Sequence, residues 1–260
     1  MKKILFIICC LLLPAMLLQA QNTNLYEKHW FVQNNDSMPY RLLLPENYDA
    51  TKKYPLLFFM HGSGERGNDN EKQLVHGSKL FLKDEVRKNY PAIIVFPQCP
   101  QNSYWSNVSS TTDSQGKRNF IFKADTEPTI AMQMANGLLK KIIKEYPVQK
   151  KQVYVAGLSM GGMGTFEMVY RNPRLFAAAF PICGGGDPAI AKKVKKTNWW
   201  IFHGAKDDVV PPINSEVMAK ALQKAKASVK LTIYPNANHN SWDAAFAEPE
   251  LLPWLFAQRR

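Results

Sequence analysis

Apolar positions along this chain fall into short, dense runs separated by stretches with helical spacing. Pro55 to Met60, Ala92 to Phe96, Gln152 to Ala156 and Ala177 to Ile182 are nearly unbroken apolar segments. Runs this short and continuous predict strands buried on both faces, which requires helices on both sides of a sheet. Asn198 to Phe202 and Val229 to Tyr234 add two more strands. Glu27 to Gln33 and Pro39 to Leu44, joined by the turn Asn34-Asn35-Asp36-Ser37, predict an antiparallel opening hairpin. Helical spacing appears near Leu74 to Lys88, with His76-Gly77-Ser78 as an interruption, and at Thr126 to Tyr146, with Pro128 in the first turn. It returns from the glycines after Ser159 to Asn172, in a short lysine-rich segment after Asp187, at Ile213 to Lys226, and at Ala247 to Phe256. Gln98 to Phe120 reads as a long polar loop, a length that usually serves function. Eight strands alternating with helices imply an α/β protein with a mostly parallel sheet covered on both faces.

Composition narrows this further. The chain has 260 residues, 46% hydrophobic and 12% aromatic, enough for one large domain over residues 21–260 and rather long for two. It contains no internal repeat, low-complexity segment or linker. The first twenty residues read differently: Lys2 and Lys3 precede an apolar stretch from Ile4 to Leu18, followed by Gln19-Ala20-Gln21. A charged start, an apolar run short for a bilayer and a small residue at the cut predict a secretory signal peptide removed near Ala20. Secretion or export to a periplasm follows, with an uncleaved anchor as the alternative. Cleavage takes away Cys9 and Cys10, leaving Cys99 and Cys183, too few for a disulfide scaffold. One bridge or two buried thiols would suit the remainder. The net charge of +12 is spread over lysines at helical spacing, such as those at 192, 193, 195 and 196. No basic stripe interleaved with aromatics occurs, which argues against a nucleic-acid partner.

Chemistry concentrates in Val153 to Thr165. An apolar β-branched run ends in Gly157-Leu158-Ser159-Met160-Gly161, a Gly-x-Ser-x-Gly pattern on a predicted strand-to-helix turn. Such a turn holds the serine in a strained conformation with its hydroxyl clear of the sheet, and the following helix start suits a developing anion. A serine nucleophile needs a base, and the base needs an acid. Asp207 follows the strand ending at Phe202 and is the preferred acid; Asp208 is the reserve, or a helix cap, and Asp187 a further candidate. Among five histidines, His29 falls in the hairpin and His76 in a predicted helix. His61 and His203 precede glycines at strand ends, where they would brace loops. His239, in the polar loop after the last strand, remains as the base. The backbone amides of Met160 and Ser63, the latter in the glycine-rich loop after Met60, are the expected oxyanion donors.

Four motifs, His61-Gly62-Ser63-Gly64-Glu65-Arg66-Gly67, Gly157-Leu158-Ser159-Met160-Gly161-Gly162, His203 through Pro211 and His239-Asn240-Ser241-Trp242-Asp243, carry a resemblance over about residues 38–260. The chain resembles secreted α/β-hydrolases of the esterase and phospholipase/carboxylesterase type. It is similar to polyhydroxybutyrate-depolymerase-like enzymes, to feruloyl and acetyl-xylan esterases, and to the catalytic domain of prolyl oligopeptidases. The resemblance implies the α/β-hydrolase fold and places the acid four positions after the third motif's histidine, at Asp207. The expected activity is hydrolysis of carboxylic esters, small or polysaccharide-linked, through an acyl-enzyme, with no metal or organic cofactor. Tyr104, Trp105 and Trp242 are candidates for an aromatic substrate wall. The competing readings are a peptidase of the prolyl oligopeptidase type and a non-catalytic carbohydrate-binding protein. Acyl preference and oligomeric state have no signature in the sequence.

Overall fold

The computed structural model describes residues 23–116 and 118–260, so the expected signal peptide lies outside the described residues. In chain order the strands are β1 (Glu27–Gln33), β2 (Asp36–Leu43), β3 (Tyr54–Met60), β4 (Ile93–Pro97), β5 (Val108–Thr112), β6 (Arg118–Phe122), β7 (Val148–Leu158), β8 (Ala178–Ile182), β9 (Asn198–Gly204) and β10 (Val229–Tyr234). The helices are α1 (Asp84–Asn89), α2 (Ile130–Glu145), α3 (Met160–Arg171), α4 (Ala191–Val194), α5 (Ile213–Lys224), α6 (Ser241–Phe246) and α7 (Leu251–Ala257). Eight strands form one sheet in the order β1-β2-β4-β3-β7-β8-β9-β10. β1 and β2 are antiparallel, β2 meets β4 antiparallel, and the remaining neighbours run parallel. This is the mostly parallel α/β sheet that the hydrophobic pattern predicts and the α/β-hydrolase architecture that the resemblance implies.

The continuous apolar runs are continuous because the sheet is buried on both faces. On β3, Leu56, Phe58 and Met60 join one core with Leu138 of α2 and Phe166 of α3. Leu57 and Phe59 of the same strand join the opposite core with Phe81, Phe96 and Leu251. The two-residue alternation sends every second side chain to each layer. Each fully buried Leu or Phe contributes about 2 kcal/mol over leaving it exposed, so both layers are needed to hold the strand ends in place.

Several boundaries differ from the sequence expectation, among them those of β2, β4 and β7. The region from Leu74 to Lys88 is two 3₁₀ turns and the short α1, because Gly77 is left-handed (φ 81°) and packs against the Phe246 and Phe59 rings. The long polar loop contains the β5–β6 hairpin, a two-stranded sheet of its own. Pro128 lies outside α2, whose N-cap is Thr129, its side chain accepting from Met132 N–H. The helix expected from about Ala247 to Phe256 is the shorter α7, and α6 precedes it as a separate helix. Cys99 and Cys183 are both buried free thiols, so no bridge joins them.

Gly161 opens α3 directly against the end of β3, where a Cβ would collide with the Met60 carbonyl. Gly161→Ala is expected to destabilise the protein by about 2 kcal/mol or more through overpacking against rigid backbone. Thermal melting checks this; an unchanged melting temperature would contradict the packing described here.

Candidate active site

β7 delivers Leu158 into a turn at which Ser159 takes φ 52° and ψ −117°, a backbone conformation that L-residues rarely occupy. The strain is held by close packing. Ser159 N–H donates to Ile182 O (2.8 Å), and Met163 N–H of the next helical turn donates to Ser159 O (3.0 Å). Side chains at Gly157 or Gly161 would strike backbone, so both positions exclude a Cβ. The serine sits at the C-terminal edge of the parallel sheet, where an open α/β sheet builds its site.

Two loops at the same edge bring their residues to it. Ser159 Oγ is 2.9 Å from His239 Nε2, and His239 Nδ1 is 2.8 Å from Asp207 Oδ2. A carboxylate can only accept, so Nδ1 carries the proton and Nε2 is left to accept from the serine hydroxyl. Asp207 follows β9, with its side chain wholly buried. His239 follows β10, with its ring 19% exposed and open to a substrate. Burial alone would raise the Asp207 pKa. Hydrogen bonds from His203 and His239 and from Val210 N–H outweigh it and hold the carboxyl well below its usual range. Val209 and Val210 N–H both donate to Oδ1 (3.0 and 2.8 Å), so the carboxylate cannot rotate freely.

The glycine-rich loop after β3 lies beside this line, since a Cβ on Gly62 would be 3.7 Å from that of Ser159. His61 positions the loop. Its Nδ1–H donates to Gly62 O (2.6 Å) and its Nε2 accepts from Cys99 N–H (2.9 Å). Burial lowers its pKa to about 4, so it stays neutral and keeps both bonds at neutral pH. Arg66 ties the same loop to the segment after β4, donating to Ser63 O, Gln101 O and Ser103 O. The Met160 N–H, at the first position of α3, has no intrahelical acceptor.

The other candidates separate by burial. Trp105 is fully buried, its indole N–H donating to His61 O (3.1 Å). It anchors the loop rather than facing a substrate, which corrects the expectation of a three-ring wall. Tyr104 is partly buried, with the Arg66 guanidinium 5.7 Å from its ring centre. Trp242 meets the His239 ring edge-on at 5.5 Å and the His76 ring at 4.9 Å. His76 is therefore near the site although its position in the chain suggested a helix. Asp208 is exposed, and Asp187 caps a 3₁₀ turn through Ala189 N–H. The motif reading did not anticipate Cys183, whose thiol lies within 4.8 Å of ligand atoms of Asp207 and His239. Burial and the Asp207 charge push this thiol well above its ordinary pKa. A metal needs the thiolate, so the cluster suits hydrogen bonding better than metal ligation.

The fold and the arrangement at its C-terminal edge define a hydrolase of the α/β-hydrolase class. Residues 33–201 match the model of the family described as "Putative esterase", and the chain belongs to that family. Residues 186–252, which hold the Asp207 and His239 loops, also match the "Prolyl oligopeptidase family" model. A solved "Thermostable Esterase" shares 32% identity with a TM-score of 0.81, covering 92% of this chain and 64% of that one. The bifunctional acetylxylan esterase/xylanase XynS20E of Neocallimastix patriciarum is 30% identical over 156 residues, 60% of this chain. "Probable feruloyl esterase C" of Aspergillus terreus is 25% identical over 189 residues, 69% of this chain. The matches span only 20% and 58% of those two relatives.

The Asp207 environment sets a pH dependence. A depressed folded-state pKa contributes stability in full above the unfolded carboxylate range and loses it as pH falls toward the folded value. The melting-temperature difference between wild type and Asp207→Asn should therefore be constant above about pH 5 and shrink below about pH 4. A difference that stays constant into acid would contradict the depressed pKa. At neutral pH the same variant should lose roughly 10³-fold or more in kcat, because the base takes the wrong tautomer.

Proposed function

We propose that this chain is a secreted serine esterase working through Ser159, His239 and Asp207. The observation that supports it best is the unbroken hydrogen-bonded line from the serine hydroxyl through the imidazole to the buried carboxylate. Ser159 Oγ attacks the ester carbonyl as its proton passes to His239 Nε2. The imidazolium so formed is stabilised by the Asp207 carboxylate on its other nitrogen. The tetrahedral oxyanion is held by the backbone N–H groups of Ser63 and Met160, with the positive end of α3 behind the second. Collapse expels the alcohol, which takes the proton from His239. Water, deprotonated by the same base, then releases the acid and restores the serine.

The substrates we infer are acetyl or feruloyl esters carried on plant polysaccharide. The relatives named as acetylxylan and feruloyl esterases support this. The half-buried Trp242 ring beside His239 and the Tyr104 ring beside Arg66 would flank the ester on either side. Residues 1–20 would direct export and be cut near Ala20, leaving residues 21–260 as one catalytic domain. Among the described residues no helix is long and apolar enough to cross a membrane. The match of residues 186–252 to the prolyl oligopeptidase model favours peptide-bond cleavage as the second reading.

A fluorophosphonate probe should label the wild type and leave Ser159→Ala unlabelled. Acetyl and feruloyl esters should be cleaved faster than proline-containing amides by the same preparation. Labelling that persists in Ser159→Ala would remove the nucleophile assignment, and faster amide cleavage would reverse the order of the two readings.

A further inference from the structure

A second imidazole bears on the triad carboxylate. His203, the penultimate residue of β9, is wholly buried, and its Nε2 lies 3.3 Å from Asp207 Oδ2, the oxygen that also accepts from His239. The same nitrogen is 2.8 Å from Val210 O. Neither a carbonyl nor a carboxylate can donate, so Nε2 must carry a proton shared between them. The other ring nitrogen, Nδ1, is 2.7 Å from Ser215 Oγ of α5 and can accept from that hydroxyl, which also lies 3.0 Å from Gly184 O after β8. Ser215 is itself fully buried. The ring is thus fixed at both ends by groups from different elements, with Nε2 bonded to Val210 O and 3.3 Å from the Asp207 carboxylate.

We propose that His203 is a positioning residue for the esterase reaction, holding Asp207 Oδ2 in place and sharing its charge so that His239 keeps the correct basicity. This rests on the triad reading above. The Oδ2 atom has two imidazole donors, and removing one concentrates its charge on the other. An Asp207 that lacks the His203 bond should hold the His239 imidazolium more tightly, making His239 a base that protonates too readily. The ionisable groups facing this pair are few. Cys183, after β8, is a neutral thiol because burial and the Asp207 charge push its pKa up. His239 comes from the β10 exit loop. Lys206 and Asp208, beside Asp207 in sequence, are exposed and point to solvent.

The test is the pH dependence of kcat/KM for an aryl acetate, measured on His203→Leu, His203→Gln and Ser215→Ala. Rates are normalised to the sites that a fluorophosphonate titrates, so that misfolded protein does not count. His203→Leu should move the acid limb to higher pH by about one unit and lower kcat roughly tenfold, with KM little changed. His203→Gln, which keeps an N–H donor at the same reach, should lie near the wild-type limb. Ser215→Ala, which frees the ring, should shift the limb in the same direction by less, and it carries the test if the leucine variant does not fold. A limb unmoved in His203→Leu, or in Ser215→Ala if leucine fails to fold, would overturn the proposal. Activity surviving in Ser159→Ala would instead overturn the triad reading beneath it.

Discussion

The structure turns on one strained residue. Ser159 holds a conformation that its own sterics oppose, and the surrounding backbone compels it. The end of β3 presses Met60 and His61 carbonyls against Gly161, and Gly157 packs against the same helix turn. The Ser159 N–H is fixed to Ile182 O at the end of β8. Three neighbouring strands must therefore end at the right level before the serine can stand clear of the sheet. Their levels are set by the two hydrophobic layers that sandwich them, so core packing is coupled to the geometry of Ser159.

Around that residue, three of the five histidines form a division of labour. His61 is neutral and saturated, linking the glycine-rich loop to Cys99 N–H. His203 is saturated too, spanning α5 and the Asp207 loop. Only His239 has one nitrogen committed to a carboxylate and the other facing the serine. The two buried rings have both nitrogens enclosed, whereas the His239 ring is partly exposed. Burial would oppose an ionised Asp207, yet its hydrogen-bond donors reverse the sign and keep it charged. The fixed negative charge then gives the mobile ring a defined tautomer.

Most of this was legible along the chain for a physical reason. Strands buried on both faces leave unbroken apolar runs, and β1 and β10 match the expected bounds residue for residue. Ser159, Asp207 and His239 sit in turns and loops that follow strands, where spacing and turn chemistry mark them. The β5–β6 hairpin left no such trace. Ser109, Ser110, Thr111 and Thr112 face solvent, so the strand has no apolar period to read. Trp105 was a candidate for the substrate wall because its partner, the His61 carbonyl, is 44 residues away in sequence. The left-handed Gly77 broke a helix whose side-chain pattern was otherwise sound. Cys183 and His203 came to the site through strand adjacency, which single-sequence periodicity does not encode.

The central claim is that Ser159 forms a covalent acyl-enzyme with His239 as its base. Rapid-mixing kinetics with 4-nitrophenyl acetate test it most directly, provided deacylation is slower than acylation under the chosen pH and temperature. The account predicts a burst of one nitrophenolate per titrated chain, with the acetyl group recovered by mass spectrometry on the peptide that carries Ser159. A burst of full size in Ser159→Ala, or an acetyl group found on another residue, would contradict it.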